Sequence, residues 1–382
     1  MAEFDIVFEG GGAKGSAFVG ALMVLGEQGH TWRRLVGTSA GAITATLVAA
    51  GYTPPELLQA VNEKGPDGRP RFASFMDVPV AADFDQATID GSDTMRAMKL
   101  VKLPGLFGMA QNWVDNHLLH ALLDTGLYGH LFSFNECGGL FAGLAFVKWL
   151  QEKLGDKGID ATDTFETFAR KTGRPPKSAY LTVLTSDTSD HESLILNDIT
   201  APSCPVLWAV RMSMSIPFIW REMVWQEPWG SYLGRAKTTN ILVDGGVLSN
   251  FPIREIAEPM PEIMGTVLDP KGALNLGLLL DQTIAVPGAA DVSKAPLHLK
   301  EADLRFRIIE RVRNVIDTMM QSGDASAIRE YASEVCRLPV KGFGTTEFDM
   351  PAERLNQLVN GGRAAMEQHL AARPAEKMAV HA

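Results

Sequence analysis

Two glycine-rich turns near the start of the chain constrain its fold most. The first is Gly10-Gly11-Gly12-Ala13-Lys14-Gly15, after an apolar run at 4–8, and the second is Gly37-Thr38-Ser39-Ala40-Gly41, after a short predicted strand at Leu35-Val36. Each turn precedes a segment with helical spacing of apolar or small residues. A repeated strand-turn-helix order predicts neighbouring parallel strands, with both turns at the carboxyl ends of the strands and facing one crevice.

The second turn has the pattern G-x-S-x-G. Such a turn holds its serine on a sharp bend at a helix N-terminus, where the hydroxyl is accessible and backbone N–H groups favour negative charge. In the first turn, the amides of Gly10, Gly11 and Gly12 can approach the same point without obstruction by Cβ atoms. Together the turns predict a nucleophile, Ser39, and an oxyanion site.

The sequence allows two interpretations of Lys14. It can lend positive charge near an oxyanion or a phosphate, with Gly15 beside it, or it can cap the loop and remain solvated.

The first turn also fits G-x-G-x-x-G, which is typical of dinucleotide-binding sites, with Arg33 and Arg34 as partners of a 2′-phosphate. Two observations weigh against an NADP-binding oxidoreductase. The acidic residue expected about 20 positions further on is missing, and the second strand ends directly in the serine turn.

The base for Ser39 is predicted to be Asp244, which follows the apolar run Ile241-Leu242-Val243 and begins Asp244-Gly245-Gly246. An ordinary Asp-Gly turn is the alternative interpretation. The histidines late enough in the chain for a conventional triad are His298, in a polar stretch, and His369, on a predicted amphipathic helix. We interpret both as surface or packing residues.

The three glycine motifs, in this order, resemble those of the patatin-like phospholipase family. The resemblance extends along Asp244–Pro252, Val210–Pro217 and the segment after Phe348. It covers about 4–60 and 180–260, is fainter at the C-terminus, and finds little to align between about 70 and 175.

The resemblance implies a Ser39–Asp244 dyad without histidine and an oxyanion hole built by Gly10, Gly11 and Gly12. By the same resemblance, the glycines of the other two motifs support the site's geometry: Gly37, Gly41, Gly245 and Gly246. It implies an acyl hydrolase that releases fatty acids from phospholipids, lysophospholipids or related lipid esters, with no cofactor and no metal. A catalytically weak lipid-binding protein of the same fold is the alternative.

The fold class predicted is α/β, a three-layer α/β/α sandwich with a mainly parallel central sheet and a helical insertion. We expect one domain at 1–372, with its core at about 4–60 and 178–372 and the insertion at about 92–155, followed by a flexible tail at 373–382. In the insertion, Arg96, Lys99 and Lys102 alternate with apolar residues. This pattern is typical of a helix that packs on the sheet, covers a lipid groove, or lies on a membrane.

Two later helices are predicted from Ala302 to Met320 and from Pro351 to Leu370, both packing on the sheet.

Composition limits the function further. The chain has 382 residues, 46% of them hydrophobic, and a net charge of −10, which argues against nucleic-acid binding. Its three cysteines, Cys137, Cys204 and Cys336, are far apart and predict reduced thiols. Without a secretory pattern or a long apolar span, we expect a cytoplasmic protein with transient membrane contact and a lipid or fatty-acyl ester as its partner. The oligomeric state is left open.

Overall fold

The structure, a computed structural model, describes residues 1–100, 118–265, 272–289 and 324–373, together with Val315 and Thr318. The described strands are β1 (Glu3–Phe8), β2 (Thr31–Thr38), β3 (Gly139–Phe141), β4 (Leu181–Asp187), β5 (Glu192–Leu196), β6 (Phe218–Trp220), β7 (Met223–Val224), β8 (Ser231–Tyr232), β9 (Arg235–Ala236), β10 (Ile241–Asp244), β11 (Leu274–Ala285) and β12 (Val335–Lys341).

The described α-helices are α1 (Ala17–Glu27), α2 (Ala40–Ala49), α3 (Pro54–Val61), α4 (Gln86–Gly91), α5 (Asp93–Leu100), α6 (Gly126–Cys137), α7 (Leu144–Gly155), α8 (Phe165–Lys171), α9 (Val206–Ser213), α10 (Arg254–Ala257), α11 (Pro261–Met264), α12 (Ala325–Glu330) and α13 (Ala352–Ala372).

The central sheet has eight strands, and hydrogen-bonded pairs link them in the series β12-β11-β1-β2-β4-β10-β7, with β5 also paired to β4. Within this series, β2 and β10 pair with successive parts of β4. The first five are mutually parallel. Both β5 and β10 run antiparallel to β4. The mainly parallel sheet was therefore predicted correctly, whereas the antiparallel direction of β10 was not predicted. Two small sheets, β3-β6 and β8-β9, lie apart from it.

Side chains on β1 alternate between two buried cores. Phe4, Ile6 and Phe8 belong to a core shared with α1, α2 and α13, while Val7 belongs to a second core shared with α10, α11 and α12. Because successive side chains of a strand point to opposite faces, the sheet has a helical layer on each face. The predicted α/β/α sandwich is confirmed.

Strand β2 is longer than the predicted run at Leu35-Val36, since it begins at Thr31. The extra residues include Arg33, which is partly exposed, and Arg34, which is buried. Arg33 donates to the buried Asp5 carboxylate at 3.1 and 2.6 Å. This pairing allows charged side chains to lie within the sheet.

The region at 92–155 contains α5, α6 and α7, as its apolar spacing indicates, and also the short strand β3. Lys102 lies outside the described residues. The same holds for the predicted helix at 302–320, except that Val315 and Thr318 are helical. The division into a core, an insertion and a flexible tail remains a prediction. No described helix combines the length and apolarity that crossing a bilayer requires.

The C-terminal helix was predicted correctly within two residues, and it packs on α1. Two glycines allow the backbones of α13 and α1 to approach each other closely. A Cβ on Gly20 would lie 1.8 Å from the Val359 carbonyl oxygen, and one on Gly362 would lie 2.0 Å from that of Ala17.

Candidate active site

The candidate site lies where β2 and β10 meet along one edge of β4. Because β5 pairs with β4 from Val183 to Asp187, it occupies the other edge. On the shared edge, β2 ends with Thr38 opposite Leu184, and β10 ends with Asp244 opposite Thr185. The carboxyl ends of two strands that run in opposite directions therefore face each other, and they bring Ser39 next to Asp244.

Ser39 occupies a tight bend between β2 and α2. Its φ of +53° is positive, a conformation that is strained for a residue with a side chain. Its backbone N–H donates to the Ser213 hydroxyl oxygen at 2.9 Å. The side chain is only 2% exposed, so a carbonyl that reaches it is largely shielded from water.

The glycines around Ser39 are required by close backbone contacts. A Cβ on Gly37 would lie 2.3 Å from the Gly41 carbonyl oxygen, and one on Gly41 would lie 2.2 Å from that of Phe8. The G-x-S-x-G pattern therefore lets the bend pack directly against β1.

Asp244 is completely buried at the end of β10. Its Oδ1 accepts a hydrogen bond from the Gly246 N–H at 2.8 Å, and its own N–H donates to the Ser215 carbonyl at 2.8 Å. Gly245 packs against β4, since a Cβ there would lie 2.4 Å from the Leu184 carbonyl oxygen.

Burial raises the pKa of Asp244 to about 7, although the nearby Ser39 hydroxyl and the Gly246 N–H lower it. Within the described part of the chain, Oδ2 has no hydrogen-bond partner that meets ordinary distance limits. The Ser39 hydroxyl therefore lies close to the Asp244 carboxylate without a formed hydrogen bond to Oδ2. A buried carboxylate oxygen is thus available to accept a proton near neutral pH.

The three backbone N–H groups of the glycine loop differ in whether they are hydrogen-bonded within the protein. The Gly10 N–H donates to the Asn250 carbonyl at 3.0 Å, so it is engaged in this structure, and its binding of an oxyanion stays a prediction. For Gly11 and Gly12, no hydrogen bond joins the amide N–H to another described residue. Gly12 has a φ of +56°, and a Cβ there would lie 2.1 Å from the Thr345 carbonyl oxygen.

The loop also separates two cavities. A cavity of about 70 Å³ contains Ser39, Gly12 and Gly15, and its walls are apolar. Large side chains line it: Ile43, Leu47, Phe72, Phe75, Trp149 and Trp220. Its chemistry suits a hydrocarbon chain next to the serine.

Lys14 lies on the other side, in a polar cavity of about 390 Å³ that also contains Glu9 and Asn250. It is 3% exposed, so the solvated alternative for Lys14 is wrong. Burial raises the pKa of Glu9 to about 8, and the positive charge of Lys14 opposes that rise.

The histidines considered for a triad do not join this site in the described structure. His298 lies outside the described residues. His369 is on α13, where it accepts a hydrogen bond from Arg373 Nε at 3.1 Å, and burial with Arg373 nearby lowers its pKa to about 4.

The arginines that a 2′-phosphate would need are also misplaced. Both lie toward the amino end of β2, away from the glycine loop. Arg33 is bonded to Asp5, and Arg34 donates to the Met264 carbonyl at 2.7 Å. This geometry does not support an NADP site.

One acidic cluster among the described residues has the spacing of metal ligands. Ligand atoms of Asp187, Asp190 and Glu192 lie within 4.8 Å of one another. The Lys237 ammonium contacts all three carboxylates, at 2.8, 2.5 and 2.5 Å. The protein's own cation therefore neutralises this cluster.

Sequence reasoning did not assign roles to Ser213, Ser215 and Asn250. Ser213 is the last residue of α9 and Ser215 follows two positions later; they accept hydrogen bonds from the backbone N–H groups of Ser39 and Asp244. The third lies in the extended Asp244–Pro252 motif. The motif resemblance contained these residues, but only the fold shows what they contact.

A family model described as patatin-like phospholipase matches residues 6–257. The chain belongs to the patatin-like phospholipase family. Membership places this patatin-like chain among lipid hydrolases.

The chain is similar to the uncharacterized protein YqhO of Bacillus subtilis (strain 168). The two are 26% identical over 374 residues, which are 96% of this chain and 97% of YqhO.

Two solved structures match this chain with lower sequence identity than YqhO does. VipD from Legionella pneumophila matches with a TM-score of 0.45 and 18% identity, over 97% of this chain and 67% of VipD. The type III effector ExoU, from Pseudomonas aeruginosa, matches with a TM-score of 0.41 and 18% identity, over 97% of this chain and 52% of ExoU. The chain thus spans about half the length of ExoU.

Proposed function

We propose that the chain is a serine acyl hydrolase that releases ester-linked fatty acids from phospholipids, lysophospholipids or related lipid esters. Ser39 is the nucleophile and Asp244 is the base in this proposal. One observation carries it: the Ser39 hydroxyl lies next to a fully buried carboxylate whose pKa is about 7, at the wall of an apolar cavity.

In the acylation step, Ser39 Oγ bonds to the acyl carbon and its proton passes to Asp244 Oδ2. The carbonyl electron pair moves to oxygen, and the N–H groups of Gly11 and Gly12 stabilise that charge. When the tetrahedral intermediate collapses, the ester C–O bond breaks and the leaving alcohol takes the proton from Asp244. The product is an acyl-enzyme.

In the deacylation step, water attacks the acyl carbon while Asp244 accepts a proton from it. Collapse of the second intermediate breaks the bond to Ser39 Oγ, which recovers the proton. A carboxylate of ordinary pKa near 3.9 is a poor proton acceptor, whereas one with a pKa of about 7 is matched to neutral pH.

Further properties belong to the same proposal. The enzyme acts in the cytoplasm, requires no metal or cofactor, and contacts membranes transiently. In support of membrane contact, Leu127, Leu131 and Phe134 are exposed on one face of α6, and Phe218 lies beside Phe134 with ring centroids 6.0 Å apart. An apolar face of this kind suits the surface of a bilayer.

Product analysis tests the proposal. Wild-type protein, Ser39→Ala and Asp244→Asn are compared on a diacyl phospholipid, the matching lysophospholipid and a p-nitrophenyl ester, with His369→Gln as a matched control. We expect released fatty acid from the wild type and the control, none from Ser39→Ala, and labelling of Ser39 by a fluorophosphonate.

Activity that survives in Ser39→Ala would refute the proposal. A correctly folded wild type that neither hydrolyses these esters nor reacts with the fluorophosphonate would favour a lipid-binding protein. Loss of activity in His369→Gln with normal activity in Asp244→Asn would indicate a conventional triad.

A further inference from the structure

Asn250 clamps the first glycine of the oxyanion loop from two directions. The Gly10 N–H donates to the Asn250 carbonyl at 3.0 Å, and the Asn250 side-chain Nδ2 donates to the Gly10 carbonyl at 3.0 Å. A backbone carbonyl only accepts hydrogen bonds, so the amide nitrogen of Asn250 must face it.

The second of these bonds sets the direction of the next amide. The Gly10 carbonyl and the Gly11 N–H belong to one planar trans peptide unit, in which C=O and N–H point in opposite directions. When Asn250 holds the Gly10 carbonyl, it also turns the Gly11 N–H away from Asn250.

Gly10 lies between Asn250 and the serine. A Cβ on Gly10 would lie 2.2 Å from Asn250 Oδ1 and 3.2 Å from Ser39 Cβ. The clamp therefore presses this part of the loop against Ser39, so a small shift in Asn250 changes where the loop amides lie relative to the acyl carbonyl.

Asn250 is itself held by two acidic residues. Its backbone N–H donates to Asp324 Oδ2 at 2.8 Å, and Nδ2 also donates to Glu9 Oε1 at 3.2 Å. The side chain is 7% exposed. Two hydrogen bonds from the side-chain Nδ2 and one from the backbone N–H restrict the movement of this buried residue, which is what a positioning residue requires.

We infer that Asn250 is the positioning residue that aims the Gly11 N–H at the oxyanion. This inference rests on the proposed function. The inference links two motifs, because Asn250 belongs to the segment that begins at the proposed base Asp244, and it binds the glycine loop.

The test compares Asn250→Asp and Asn250→Ala with the wild type. Aspartate keeps the shape but places an acceptor against the Gly10 carbonyl, and alanine removes the contact. For both variants we expect kcat to fall by at least about 10-fold, with the 100- to 1000-fold loss of a whole oxyanion donor as the upper limit. KM is expected to change by less than about 3-fold, since the interaction forms in the transition state.

A second measurement separates aiming from general damage to the fold. A trifluoromethyl ketone with the substrate's acyl chain adds to Ser39 and forms an oxyanion. Its inhibition constant should rise in parallel with the loss of kcat, while that of the free fatty acid stays unchanged. The matched control is Asn197→Asp, because Asn197 is a fully buried asparagine with a similar hydrogen-bond network away from the site. It should leave the ketone's constant unchanged.

Unchanged kcat in folded Asn250→Ala would overturn the inference, and so would equal weakening of ketone and fatty-acid binding. If the variants do not fold, as judged by thermal unfolding, Asn250→Ser provides the shorter side chain for the same measurements. Ser39→Ala separates the two hypotheses. If Ser39→Ala is inactive and Asn250→Ala is fully active, only the role of Asn250 fails.

Discussion

Replacement of Asp244 by asparagine should stabilise the protein at neutral pH while it removes the proposed base. In the wild type, burial raises the pKa of this carboxyl from 3.8 to about 7. A change of about 3 in pKa corresponds to about 4 kcal/mol, at 1.36 kcal/mol per pH unit. Asparagine has nearly the same shape and no ionisation.

The pH range follows from when each state ionises. Below pH 3.8 the carboxyl is protonated in both the folded and the unfolded chain. Between pH 3.8 and about 7 it ionises mainly in the unfolded chain, so the free energy of unfolding of the wild type falls as pH rises. Above about pH 7 the loss is complete and levels off.

Urea unfolding between about pH 4 and 8 measures this effect. The free energy of unfolding of Asp244→Asn minus that of the wild type should grow with pH and reach up to about 4 kcal/mol. The matched control is Asp90→Asn, which removes one negative charge from an exposed side chain. Its difference from the wild type should stay constant over the same range. A pH-independent difference for Asp244→Asn would refute the argument that burial raises this pKa.

Four further outcomes are expected. The value of kcat/KM on a soluble ester should rise with an apparent pKa of about 7, because Asp244 must be ionised, and a profile already flat from pH 5 would contradict this. Ser213→Ala should lower stability by about 1–3 kcal/mol and also lower kcat, since the Ser39 N–H loses its acceptor; unchanged urea unfolding and kcat would argue against it. Gly41→Ala should lower the melting temperature and the activity together, since its Cβ would lie 2.2 Å from the Phe8 carbonyl oxygen, whereas Gly155→Ala, where a Cβ meets nothing within 4 Å, should keep both. EDTA should leave the hydrolysis rate unchanged, and activity restored only by added calcium would show a metal requirement.

Local patterns carried most of the fold prediction. Both strand-turn-helix units near the N-terminus and the C-terminal helix have clear periodicity, and the structure contains them. A pattern of apolar residues indicates that a strand is buried, but it does not indicate which strand is its neighbour or in which direction it runs. The apolar run before Asp244 therefore predicted β10 but not its antiparallel pairing with β4.

The site was predictable in its residue types and less so in its contacts. Ser39 and Asp244 follow from motifs that impose local geometry. The engaged N–H of Gly10, the buried position of Lys14 and the clamp by Asn250 depend on chain segments that are distant in sequence. Arg33 and Arg34 show the same limit, since the short run at Leu35-Val36 did not reveal that β2 begins at Thr31 or that both arginines approach the buried Asp5.

The meeting of β2 and β10 on one edge of β4 affects how this protein can change during evolution. The distance between the proposed nucleophile and the proposed base is set by two consecutive residues, Leu184 and Thr185, and not by the length of chain that connects them. Segments between β2 and β4 can therefore lengthen, shorten or diverge without altering that distance. The residues of these segments that line the apolar cavity, such as Phe72, Phe75 and Trp149, can vary while the spacing of Ser39 and Asp244 stays constant.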